Sequence, residues 1–178
     1  MSRWVFRLCL ILAVGCSTVG VSRPAFAADD DDALDWEPET THVFAVGLLQ
    51  WKDPNMWSSF PAAMKHRRDK QLVDYFRAAG VPKDQIIYLC DAEATKRRIE
   101  QEFVKLLDET DDGDLLIFYF CGHGWRDPKT SFTYFANYDA GAKVSSAWDV
   151  RTIFSTIEKH FEGDRALLLA DCCHSGAL

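Results

Sequence analysis

The sequence is short of positive charge. It carries 20 Lys and Arg against 27 Asp and Glu, a net charge of -7, and so offers little of the basic surface that holds nucleic acid. It has no internal repeat, and its only biased tract is the brief acidic run Asp29 to Asp32. The apolar run Leu8 to Gly15 falls well short of the roughly 20 residues that span a bilayer. Cysteine is scarce too. Of six, Cys9 and Cys16 lie near the start, leaving Cys90, Cys121, Cys172 and Cys173. Two adjacent thiols and two at strand ends lack the spacing of a disulfide-stapled domain. The acidic groups Asp29 to Asp32 and Asp111-Asp112-Asp114 lack the alternating ligands of a calcium loop, so calcium has no support in the sequence.

What is present begins with a leader. Arg3 and Arg7 precede the apolar stretch, and Ala25-Phe26-Ala27 forms a small-x-small cleavage site, the pattern of a signal peptide over residues 1–27. Export to the periplasm or the exterior follows as an expectation, with no stable membrane span after cleavage. Lipoprotein anchoring at Cys16 is the lesser alternative, because Leu12 to Cys16 matches a lipobox only roughly. Residues 28–41 read as an acidic linker, and residues 42–178, with 48% of the whole chain apolar, as one domain.

Within that domain, apolar runs of strand length alternate with segments of helical period. His42 to Gln50, Gln85 to Cys90, Leu115 to Cys121 and Arg165 to Ala170 predict strands. Pro61 to Ala79 predicts one amphipathic helix stopped by Gly80, its basic cluster Lys65-His66-Arg67-Arg68 forming a solvated face. Thr95 to Leu107 and Ser146 to Phe161 predict two more. Phe132 to Phe135 predicts a short antiparallel excursion. Such alternation specifies an α/β fold: a three-layer α/β/α sandwich with a mostly parallel sheet and its reactive residues at the C-terminal edge of the strands.

Two strands run into chemistry at that edge. Leu115 to Cys121 ends in Gly122-His123-Gly124, and Arg165 to Ala170 ends in Asp171-Cys172-Cys173-His174-Ser175-Gly176. A thiol needs a nearby imidazole to become a thiolate at neutral pH, so Cys173 with His123 predicts a Cys-His hydrolase. The Gly124 and Cys173 N–H groups are candidates for an oxyanion hole. The loop after the first strand makes Lys52, Asp53 and Trp57 candidates for ligand contact, with an ordinary loop role favoured for Lys52 and Trp57.

The segments Phe118 to Gly124 and Asp171 to Gly176 resemble the His and Cys motifs of caspase-like endopeptidases; a spacing of about 50 residues between them is a known signature of that family. The acid before the Cys pair and the following His-Ser-Gly are similar to the metacaspase and bacterial orthocaspase branch. Ala94-Thr95 and Tyr134 to Asp139 resemble it as well. The resemblance implies a caspase-hemoglobinase fold and a cysteine endopeptidase with Cys173 as nucleophile and His123 as its partner. It implies that Asp171 binds the Arg or Lys side chain before the scissile bond in a protein or peptide substrate. Asp53 is a second candidate pocket acid by position alone. No cofactor is required for this chemistry, although metacaspases are commonly calcium-activated. Cys172 stands where the family has a small residue and is assigned to packing; His174 is assigned to the turn. Caspase-like folds continue past the Cys motif, so the resemblance also implies a domain truncated at its C-terminus.

Three rival readings fit the sequence less well. An inactive caspase-like adaptor is disfavoured because both reactive residues are present. A zinc site from His123, Cys172, Cys173 and His174 lacks the usual ligand spacing. Ser175 lacks the glycine that a serine nucleophile elbow needs.

Overall fold

The computed structural model describes residues 36–173. The leader, Cys16, the acidic run and His174 to Gly176 lie outside them. The element order is β1 (Thr41–Gly47), α1 (Pro61–Met64), α2 (Arg68–Ala78), β2 (Ile86–Cys90), α3 (Lys96–Leu107), β3 (Leu115–Cys121), β4 (Gly124–Arg126), β5 (Thr133–Phe135), β6 (Trp148–Asp149), α4 (Val150–His160) and β7 (Arg165–Asp171).

Four of the strands pair in parallel, in the order β2-β1-β3-β7. Because alternate side chains point to opposite faces, β1 divides its residues cleanly. Phe44 and Val46 face one apolar cluster with Ile99 and Phe103 of α3 and Ile153 of α4. Val43 and Ala45 face the other, with Val73 and Phe76 of α2. All seven residues of β1 are buried, as a strand covered on both faces requires. The α/β/α sandwich expected from alternation is therefore the fold. Aromatic rings knit the larger cluster: Phe44 lies 4.8 Å from Phe103, and Phe118 lies 5.7 Å from Trp148.

The predicted excursion is a three-stranded antiparallel sheet, β4-β5-β6. Phe120 of β3 and Phe135 of β5 stack at 4.0 Å and fasten this small sheet to the large one. Helix α4 starts four residues later than periodicity suggests, because Trp148 and Asp149 pair with β5. The Asp149 side chain then accepts from the Arg151 N–H at 2.9 Å and caps the helix. Thr95 caps α3 in the same manner.

One expectation is overturned. The single helix over 61–79 is two, and the basic cluster is not wholly a solvated face. Lys65, His66 and Arg68 are exposed, but Arg67 leaves the helical region (φ 16°, ψ 69°) and turns inward. Its guanidinium donates to the Gly47 carbonyl at 2.9 Å, to Asp69 at 2.6 Å and to Asp91. Tyr88 Oη donates to Asp69 at 2.7 Å. Asp91 in turn accepts from the Leu49 N–H at 2.9 Å. These bonds tie α2 to the ends of β1 and β2, which no helical period can disclose. Glycine is required at 47, where a Cβ would lie 1.8 Å from Asp69 Oδ2.

Burial works against the Asp69 charge, but hydrogen bonds from Arg67 and Tyr88 hold its carboxyl below the usual carboxylate range. Arg67→Met would leave that carboxylate, 1% exposed, without its cation. The expected loss is about 3–5 kcal/mol, the size seen when one partner of a buried pair is removed. The sign with pH follows. A depressed carboxyl stabilises the fold above its unfolded pKa of about 3.9 and loses that contribution as pH falls through its folded value. Denaturant titrations should therefore show the gap between the natural chain and the variant widest at neutral pH and narrowing in acid.

Candidate active site

The parallel register of β3 and β7 sets the site. Cys121 pairs with Asp171, and the Gly122 N–H donates to the Asp171 carbonyl at 3.2 Å. The two chains leave the sheet side by side, one toward His123 and the other toward Cys173. They remain in contact: a Cβ on Gly124 would lie 1.9 Å from the Cys173 carbonyl oxygen and 3.2 Å from Cys172 Sγ. His123 and Cys173 thus sit at the same edge of the sheet, as the topology predicts, and Gly124 has no room to be anything else.

The adjacent thiols have different surroundings. Cys172 packs against the larger apolar cluster, and burial, with Cys173, Asp171 and Cys121 close by, pushes its thiol up to about 12. Cys173 is exposed. Cys121 lies on the opposite face, where burial and the nearby Asp171 push it up to about 11. All four described cysteines are free. At neutral pH the two half-buried thiols of this edge remain protonated and unreactive, leaving Cys173 as the accessible sulfur. This matches the sequence's assignment of Cys172 to packing.

His123 is held from the first loop. Its Nε2 lies 2.9 Å from the Ser58 carbonyl oxygen; a carbonyl only accepts, so Nε2 carries the proton and Nδ1 is the basic nitrogen of the neutral ring. The ring packs on Trp51, Phe60 and Trp57, with centroids at 4.5, 4.6 and 5.6 Å. None of these contacts was anticipated except a general candidacy for Trp57, for which an ordinary loop role was favoured. The available signal was the density of aromatics in a loop at the C-terminal end of a strand.

Asp171 closes β7 with its side chain exposed. It lies on the α2 face, near enough to raise both Cys121 and Tyr119 by its charge. Asp53 is exposed, and its Oδ1 accepts from the Asn55 N–H at 3.0 Å. Its loop leans on the segment around residue 138, where the Lys52 N–H donates to the Tyr138 carbonyl at 3.0 Å. The structure therefore brings together His123, Gly124, Cys173 and Asp171 but gives Asp53 a turn of its own. Among the described residues no group of three or more His, Cys, Asp or Glu is placed to hold a metal ion.

A parallel sheet between helices, with an exposed thiol and an oriented imidazole on neighbouring strand ends, is the layout of a caspase-like cysteine peptidase. The family model of the caspase domain, peptidase family C14, matches residues 69–178, and the chain belongs to that family. No curated protein matches the chain. Among solved structures it is similar in fold to protein GSU0716 from Geobacter sulfurreducens, at 16% identity and a TM-score of 0.57. That match covers 76% of this chain and 51% of the other, so this chain spans about half the length of that relative.

Two outcomes test the geometry. Iodoacetamide at neutral pH should label Cys173 and spare Cys172, read by fragment-ion mass spectrometry of the peptide that holds both. Gly124→Ala should lower any thiol-dependent turnover by at least about 100-fold, the effect of displacing reacting groups by an ångström, with the far-UV circular dichroism of the sheet retained.

Proposed function

We propose that the chain is a cysteine endopeptidase of the metacaspase-like type that cleaves after Arg or Lys. The reading is supported above all by the exposed Cys173 beside a His123 whose tautomer is fixed by the Ser58 carbonyl. In the first step Nδ1 takes the Cys173 proton and the sulfur attacks the scissile carbonyl carbon. The oxyanion that forms is assigned to the Gly124 and Cys173 N–H groups. Collapse breaks the C–N bond, the imidazolium returns its proton to the leaving amine, and a thioester remains. Water, deprotonated by the same nitrogen, then releases the acid. Protein groups suffice for every transfer, so no cofactor enters the proposal.

The preference for a basic side chain is supported by charge. Arg67, the cation that turns in toward the strand ends on the α2 face, is already committed to Asp69 and Asp91. Asp171 adds an exposed carboxylate there, which attracts a guanidinium or ammonium and repels an acid. Export through the leader of residues 1–27 belongs to the same proposal. Among the described residues no helix is long and apolar enough to cross a membrane.

Fluorogenic peptides ending in Arg, Lys or Asp, offered to the full chain, test the reading. Arg and Lys peptides should be cleaved and Asp peptides spared, with Cys173→Ala inactive. Asp171→Asn should lower kcat/KM on the Arg peptide by about 10- to 100-fold, matching the roughly 1.5–3 kcal/mol of a hydrogen bond to a charged group. Preference for Asp peptides would remove the role of Asp171, and cleavage by Cys173→Ala would remove the nucleophile. No cleavage at all would favour the binding-module alternative.

A further inference from the structure

Trp51 is the first aromatic residue beyond the end of β1, and it is itself 5% exposed. Burial of an indole demands a partner for its N–H, and Trp51 Nε1 donates to the Ala136 carbonyl at 2.9 Å. The N–H of that same Ala136 donates to the His123 carbonyl at 2.9 Å. The chain of contacts then closes on itself, because the Trp51 ring lies against the His123 ring at 4.5 Å. One tryptophan thus reaches His123 twice, through its main chain by way of Ala136 and through its imidazole directly.

Phe60 completes the arrangement. Its N–H donates to the Leu49 carbonyl at 2.8 Å, which closes the loop and fixes the position of its ring. The ring stands 4.6 Å from that of His123 and 5.7 Å from that of Trp51, edge to face. Three centroids this close form a compact triangle, and Trp57 adds a third aromatic neighbour to the imidazole at 5.6 Å. The carbonyl of Ser58, from the same loop, receives Nε2–H. A ring held by a floor, a main-chain tether and a hydrogen bond at one nitrogen has little freedom to flip or to exchange tautomers.

We infer that Trp51 is a positioning residue for His123, with Phe60 as its partner: together they form an aromatic floor that keeps Nε2–H on the Ser58 carbonyl and Nδ1 free to take the thiol proton. The inference rests on the protease reading for its effect on turnover, but its physical content is a statement about the imidazole alone. Trp51→Leu removes both the ring face and the N–H donor. Trp51→Phe keeps a smaller aromatic face and loses the donor. Phe103→Leu, in a buried ring of α3 that packs on Phe44 and Phe118, weakens the same core away from this loop.

The experiment measures two things on the full chain. Nitrogen-15 shifts of the His123 ring report the tautomer, and steady-state kinetics on an Arg peptide report kcat and KM separately. The natural chain should show the Nε2–H tautomer at neutral pH. Trp51→Leu should show averaged ring shifts and a kcat at least about tenfold lower with KM within twofold, since misplacing a catalytic group costs rate rather than binding. Trp51→Phe should recover most of both readouts, and Phe103→Leu should change neither. A folded Trp51→Leu with an unchanged tautomer overturns the inference, as does an equal change in Phe103→Leu. Should the natural chain cleave no peptide, the protease reading fails and the ring shifts alone decide the role of Trp51.

Discussion

The hydrogen-bonded register between β3 and β7 is the constraint on which the site depends. Because these strands are parallel and end level, with Cys121 beside Asp171, whatever follows each of them must leave the sheet at the same edge and nearly the same point. A slip of one residue would turn every side chain of the moved strand to the other face. Cys172 would then leave the apolar cluster and Cys173 would enter it. The distinction between an inert and an accessible thiol is thus written in strand pairing rather than in any property of the two cysteines themselves.

The sheet also separates two kinds of surroundings. On the α3 and α4 face the strand ends meet aromatic loops, and these hold His123. On the α2 face they meet carboxylates, with Asp69 and Asp91 spent on Arg67 and Asp171 left at the surface. Under the proposed function, a peptide laid across this edge would have an imidazole on an apolar support near one side of its scissile bond and negative charge near the other. That separation arises because alternate residues of a strand point to opposite faces.

Much of the fold was legible in the sequence because it is encoded locally. Leu115 to Cys121 announces a strand by its unbroken apolar run, and β3 has those bounds; Thr95 announces a helix start by being able to cap one. Residues whose partners are distant in sequence were not legible. Arg67 looked like one more surface cation, since nothing local shows that Asp91 waits 24 positions later to draw it inward. The candidate nucleophile and imidazole stood out, because each follows within two residues of the end of an apolar strand. Trp51 and Phe60 did not, because an aromatic residue in a loop has the same appearance whether it covers a core or supports a reacting ring.

The hydrogen bond from His123 to the Ser58 carbonyl has a consequence for how such a site drifts. The acceptor belongs to the main chain, so almost any amino acid at position 58 supplies the same oxygen provided the loop keeps its course. Side-chain replacement there would report a dispensable position, and divergence could erase the serine without touching the contact. What selection must hold instead is the path of the backbone, guarded by neighbours whose identities bear no chemical likeness to the job they secure.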